Sequence, residues 1–269
     1  MAIKDITLGQ YYPGDSVVHK LDPRTKLIGT ILFLVSLFVV KNFTGLLFCG
    51  ICLAILVKIS GVPFKYMARG LKAVMFLIVF TAIINLFMTP GDPIWRFGIL
   101  KIAREGIYRA CFMAIRLIML IFGSSLLTLT TKPVALTDGM ERLLSPLGKI
   151  GLPSHELAMM MTIALRFIPT LLDETDKIMK AQTARGADFE SGNLLQRAKG
   201  LIPLLVPLFV SAFRIAADLA MAMEARCYHG GEGRTRLHVL KMQKNDWIAI
   251  GATVILIVLV IIEGRLLSA

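Results

Sequence analysis

Long apolar runs, interrupted by one or two polar residues, fill the first half of this chain and leave few folds open to it. In a bilayer core every backbone N–H and C=O must be satisfied inside the protein, so runs of this kind become helices or the strands of a closed barrel. Leu27 to Val40 is apolar, breaks at Lys41-Asn42, and resumes from Phe43 to Val57. Each half is shorter than the ~20 residues that cross a typical hydrocarbon core. One helix through the break would bury Lys41 near its middle, so the spacing predicts a tight hairpin of two short helices with Lys41-Asn42 at the far turn. Short spans imply local thinning, tilt, or cover from a partner. Leu71 to Met88 is a third span, ended by the turn signal Thr89-Pro90-Gly91-Asp92-Pro93. Gly106 to Thr130 is a fourth, and Trp247 to Ile262 the last, with Trp247 suited to the interface. The expected class is all-α, a polytopic membrane protein of about five transmembrane helices.

Charge sets the expected sidedness. Of the 30 Lys and Arg, 15 fall between residues 131 and 246, together with 12 of the 18 Asp and Glu, which marks that stretch as the large internal region. Lys58, Lys65, Arg69 and Lys72 mark a shorter internal loop. The expected organisation is a cytoplasmic arm over 1–26, transmembrane helices 1–4 over 27–130, a cytoplasmic helical region over 131–246, and the last transmembrane helix with an external tail over 247–269. The loop after the third span holds Trp95, Arg96, Lys101 and Arg104, more basic than the positive-inside rule prefers for an outer loop. No cleavable leader is expected, since the first 26 residues are polar and mixed. A net charge of +12 could suggest nucleic acid, but the cations are scattered between apolar runs with no aromatic-interleaved patch, so no nucleic-acid partner is expected.

Within 131–246 the apolar residues follow helical periodicity. One helix begins after Pro153 with Ser154 as N-cap and continues past Pro169. Leu171, Leu172, Thr175, Ile178, Met179 and Gln182 then trace a stripe, and Asp173, Glu174, Asp176, Lys177 and Lys180 face elsewhere. A second helix is expected from about Pro207 to Arg226, closed by Gly230-Gly231. Each helix ends on a short signature: Ala184-Arg185-Gly186 and Ala225-Arg226-Cys227. A cation at a helix C-terminus is favoured anyway, by ~0.3–1 kcal/mol, so one such arginine says little. Two of them, each a planar fork beside small residues, suit docking onto carboxylates or carbonyls of a partner. Met159, Met160, Met161, Met179, Met221 and Met223 all lie in these helices, as gap fillers or as a face that accepts different surfaces.

Chemistry is sparse. Cys49 and Cys52 form a C-x-x-C inside an apolar run, without a second pair, and read as filler. The four histidines have no ligand spacing. Gly148-Lys149 lacks the upstream glycine of a P-loop and is followed by Ile150, so the chain is not expected to hydrolyse ATP itself. Asp138-Gly139-Met140-Glu141-Arg142 resembles the opening of the membrane CDP-alcohol phosphotransferase signature, but no further aspartate follows before Asp173. No metal site, cofactor or enzymatic activity is expected. Arg109 and Arg116, seven apart on one face of the fourth span, read as partners of a neighbouring helix or as snorkelling side chains.

With its paired signatures, the chain resembles the transmembrane (T) component of energy-coupling factor transporters, prokaryotic ATP-binding-cassette importers of vitamins and metal ions. Ala184-Arg185-Gly186 matches that family's helix-tip motif in full. Ala225-Arg226-Cys227 departs at its third position, where small size rather than glycine's backbone freedom is expected to suffice. Leu21-Asp22-Pro23-Arg24-Thr25-Lys26 and the run Gly230-Gly231-Glu232-Gly233-Arg234-Thr235-Arg236 are similar to the family as well. The resemblance implies a scaffold in the prokaryotic cell membrane that joins two cytosolic ABC ATPase subunits to one membrane-embedded substrate-capture subunit. Residues 131–246 would be its coupling-helix region, and Arg185 and Arg226 would each dock on one ATPase. Two alternatives are a permease subunit of a conventional binding-protein-dependent ABC importer, on the strength of Glu224-Ala225-Arg226-x-x-x-Gly230, and the version of the same component dedicated to cobalt or nickel.

Overall fold

The computed structural model describes residues 11–90, 93–97, 100–146, 154–187, 189, 200–230 and 242–266. The chain forms two compact units, one holding Leu144–Val239 and the other Gly9–Leu143 with Leu240–Ala269.

The second of these carries most of the apolar runs. A one-turn helix α1 (Val17–Lys20) leads into α2 (Pro23–Val39). Asp22 caps α2 by accepting from the Arg24 N–H at 2.9 Å, and Pro23 occupies the first turn, where its missing N–H costs nothing. The helix stops before Val40, and α3 (Phe43–Ser60) runs back to a left-handed Gly61 at φ +67°. The hairpin expected from the Lys41-Asn42 break is therefore present. Then come α4 (Phe64–Met88) and α5 (Arg104–Thr130). The stretch expected as a plain outer loop is instead an antiparallel ribbon of β1 (Pro93–Phe97) and β2 (Leu100–Ala103), with Trp95 opposite Ile102 and Arg96 opposite Lys101. Ile94, Trp95, Phe97 and Ile102 are residue types that favour extended backbone. The ribbon brings α4 and α5 together so closely that a Cβ on Gly106 would stand 2.7 Å from the Leu86 carbonyl oxygen. The amphipathic α6 (Pro133–Leu144) follows, and the unit closes with the last helix, Lys244–Leu266.

Its core lies among α2, α3, α5 and that last helix, around Phe33, Leu37, Leu46, Cys49, Phe112 and Val260. Cys49 is buried there and Cys52 packs against the same cluster, so both fill space as expected. Large apolar side chains also fill much of the outer surface. Phe76 is 82% exposed, Ile248 68% and Phe38 67%, a surface suited to hydrocarbon and not to water.

The other unit contains α7 (Ser154–Ala184) and α8 (Ile202–Glu224). The second begins five residues before the expected Pro207 start. Pro207 would have bonded only the carbonyl of Pro203, one bond in a helix of 23 residues, and the apolar run Ile202 to Val206 carries the helix back past it. With the last helix numbered α9, six helices among the described residues are long and apolar enough to cross a membrane: α3, α4, α5, α7, α8 and α9. The count differs from five because α7 and α8 qualify, while α2, at 17 residues, is too short to be counted. The fold is an all-α polytopic membrane protein.

Candidate functional site

The two Ala-Arg signatures end their helices in the same way, bond for bond. At the end of α7 the Gly186 N–H donates to the Thr183 carbonyl at 2.9 Å and the Ala187 N–H reaches back to the Gln182 carbonyl at 3.0 Å. At the end of α8 the Cys227 N–H donates to the Glu224 carbonyl at 2.9 Å and the Tyr228 N–H to the Met223 carbonyl at 3.1 Å. This paired closure satisfies carbonyls that a helix end otherwise leaves open, and it needs a left-handed residue just past the last helical position. Gly186 fills that position at φ +90° and Cys227 at φ +53°.

The expectation for Cys227 is thus corrected. Small size is not what the position asks for. It asks for the same left-handed backbone that glycine supplies at the first tip, and cysteine adopts it despite its Cβ, at a cost of roughly 1–2 kcal/mol. Among the described residues Cys227 is the one non-glycine with positive φ. A Cβ on Gly186 would meet nothing within 4 Å, so glycine is there for its backbone angle.

The closure places Arg185 and Arg226 at the same point of their helices, between the last alanine and the left-handed residue. Ala184, Arg185, Gly186, Ala225, Arg226 and Cys227 are all exposed. No described residue accepts a hydrogen bond or ion pair from either guanidinium.

The helices that carry the tips run antiparallel. The Tyr228 hydroxyl donates to Met159 Sδ at 3.1 Å and lies 3.5 Å from His155 Nε2, which ties the end of α8 to the start of α7. Further along, the Ser211 hydroxyl lies 3.4 Å from Glu174 Oε1, and Lys177 pairs with the same carboxyl group at 3.5 Å. Glu174, expected on a solvated face, turns partly toward α8. The tips therefore stand at opposite ends of the pair. From the level of Met159 to Arg185 is 26 residues, or about 39 Å of helix. Tyr228 is the member of this site that sequence reasoning missed. Its position two residues after Arg226 matched nothing in the first motif.

Arg116, flagged in the fourth span, donates to the Val40 carbonyl at the end of α2 and to Met113 Sδ at 3.7 Å, with its guanidinium 4.6 Å from the Phe112 ring centre. It serves a neighbouring helix end. The Gly148-Lys149 pair and the run from Gly231 to Arg236 lie outside the described residues.

Residues 14–237 match the CbiQ family, described as cobalt transport protein. The chain is 58% identical over 263 residues to the energy-coupling factor transporter transmembrane protein EcfT of Clostridium kluyveri, covering 97% of both. It is 59% identical to that of Thermosediminibacter oceani, covering 95% of this chain and 97% of the relative. To that of Bacillus subtilis it is 48% identical, covering 93% and 94%. The chain belongs to the family of CbiQ and energy-coupling factor transmembrane components. It is a multi-pass membrane protein of transport, and its exposed apolar helices are those of a CbiQ-family member seated in a prokaryotic membrane. In this member the Ala-Arg closure at Arg226 holds without the glycine present at Arg185.

Proposed function

We propose that this chain is the scaffold and coupling subunit of an energy-coupling factor ABC importer. It joins two cytosolic ATPase subunits through Arg185 and Arg226 and passes their ATP-driven motion to a membrane-embedded subunit that captures a vitamin or similar micronutrient. It performs no catalysis of its own. The observation that carries the reading is the pair of identically closed helix ends, each presenting one open guanidinium. Two like tips call for two like receptors, and a planar fork suits carboxylates or carbonyls in their grooves.

The tips also constrain the placement of α7 and α8. Both are apolar enough to cross a bilayer, but a crossing antiparallel pair would put its tips on opposite faces, about 39 Å apart against a hydrocarbon core of about 30 Å. Cytosolic receptors for both tips require the pair to lie along the inner face. Met160, Met161 and Met221, all exposed, then offer an adaptable surface to the capture subunit.

A second reading, the version dedicated to cobalt or nickel, is favoured by the description of the matching family. Isolating the chain from its native membrane and identifying what comes with it tests both. Two ATPase subunits with a separate vitamin-binding capture subunit support the first, and a metal-binding membrane partner supports the second. ATPases with two copies of this chain and no capture subunit would overturn the proposal in favour of a conventional permease.

A further inference from the structure

At one end of the membrane helices lies a buried polar knot. Asp246, 2% exposed at the start of α9, accepts the Asp22 N–H on Oδ1 and the Gln243 N–H on Oδ2, both at 2.7 Å. Lys26 in the first turn of α2 donates to the last carbonyl of α5, Thr130, and to the His19 carbonyl, both at 2.9 Å. Asp22 pairs with Arg24 at 3.0 Å. The His19 ring bonds the Tyr12 carbonyl at 3.0 Å, and the Tyr12 N–H donates to Leu129 at 2.9 Å. Against this knot lies α6, so close that a Cβ on Gly139 would be 3.0 Å from Pro23 Cβ.

These contacts share one topological fact. The unit with the Arg tips is inserted between Leu143 and Leu240, and both exits end here. One exit is α6, which follows Thr130 and abuts Pro23. The other reaches Gln243 and Asp246 within a few residues. A loosely packed joint would absorb movement arriving along either exit. A buried joint in which Asp22, Lys26 and Asp246 are each bonded transmits it, because close-packed interiors do not deform continuously.

We propose that the Asp22–Lys26–Asp246 knot is the anchor that passes movement of the inserted unit to α2, α5 and α9, with Asp246 and Lys26 as positioning residues for coupling. The proposal rests on the reading that the tips dock ATPases. Asp246→Asn is the sharpest probe. An amide offers one acceptor oxygen, so one of the two N–H groups now bound is left facing an NH2.

The test uses the complex reconstituted in vesicles with its ATPases and membrane partner. Exposed Cys111 is replaced by serine and Cys227 by glycine, the residue that closes the other tip, and nitroxide labels are placed at Phe76→Cys on α4 and Ile248→Cys on α9, both exposed. ATP is expected to shift the distance between the labels in the complex with an intact knot. In Asp246→Asn the ATPases are expected to stay bound and hydrolyse within about twofold of that complex, while the fraction of molecules that shift falls roughly tenfold. Lys26→Met serves as the second variant and is expected to act alike. Parallel loss of bound ATPase, or failure of both variants to accumulate, would reduce the knot to a structural role and overturn the proposal. An unchanged shift, or no ATP-dependent shift with the knot intact, would overturn it as well. Arg185→Ala/Arg226→Ala in the same assay separates the two claims, since retention of ATPases there defeats the docking reading itself.

Discussion

Cys227 shows what a residue type can hide. At φ +53° it does the work of Gly186 at the other tip, and its Cβ makes that conformation costly. Cys227→Gly is expected to stabilise the protein by about 1 kcal/mol, and Cys227→Val, β-branched, to destabilise it by at least as much. Thermal unfolding in detergent checks both, and a glycine variant that melts lower would contradict the closure. The sequence carried the Ala-Arg pairing openly, but a left-handed angle at a non-glycine leaves no mark in the residue type itself. Alignment of the two tips residue by residue was the available signal. The partner of Arg116 was hidden for a different reason, since Val40 is 76 residues away and its carbonyl is backbone. Asp22 gives a pH dependence. Burial pushes its carboxyl up, but the hydrogen bonds and charge of Arg24, with the charge of Arg142, outweigh burial and hold it below its usual value. Its contribution is therefore present above the unfolded pKa and lost as pH falls through the lower folded one. Asp22→Asn keeps a capping oxygen and removes the charge, so its melting temperature is expected to fall less steeply on acidification than that of the parent chain. An equally steep acid limb would contradict this.

Among the elements, those fixed by runs and breaks were the readable ones. The α2–α3 hairpin follows from Lys41-Asn42, and α5 from the run ending at Thr130. The β1–β2 ribbon was not readable, because two strands of 5 and 4 residues carry too little alternation to separate them from a loop. Its consequence is mechanical, for it presses the start of α5 against the end of α4 at Gly106. A Cβ there would meet backbone oxygen at 2.7 Å, which cannot swing aside as a side chain could. Gly106→Ala is expected to cost about 1–3 kcal/mol by forcing the two helices apart. At Gly251, in α9, a Cβ meets nothing within 4 Å, and Gly251→Ala is expected to be neutral or mildly stabilising. Equal melting temperatures for the two variants would contradict the close approach.

For the whole molecule, hydropathy alone is ambiguous, since α7 and α8 satisfy the length and composition of spans yet end in the two Ala-Arg tips. On the proposed docking both tips meet cytosolic partners, and the antiparallel pair then lies along the inner face. Single cysteines at positions 185 and 226, in a chain otherwise free of cysteine, are expected to react with an impermeant maleimide from the cytosolic side only. Labelling from opposite sides would mean that the pair crosses the membrane. The central claim is docking, and the number of ATPase subunits retained tests it most directly. Truncating one side of a buried, hydrogen-bonded charge pair costs roughly 2–5 kcal/mol, against ~0.3–1 kcal/mol for a cation that only neutralises a helix end. Native mass spectrometry of the isolated complex is expected to find one ATPase fewer with either Arg185→Ala or Arg226→Ala, none with both, and full occupancy with Arg234→Ala. Full occupancy in all four variants would contradict the account and leave the arginines as helix-end cations.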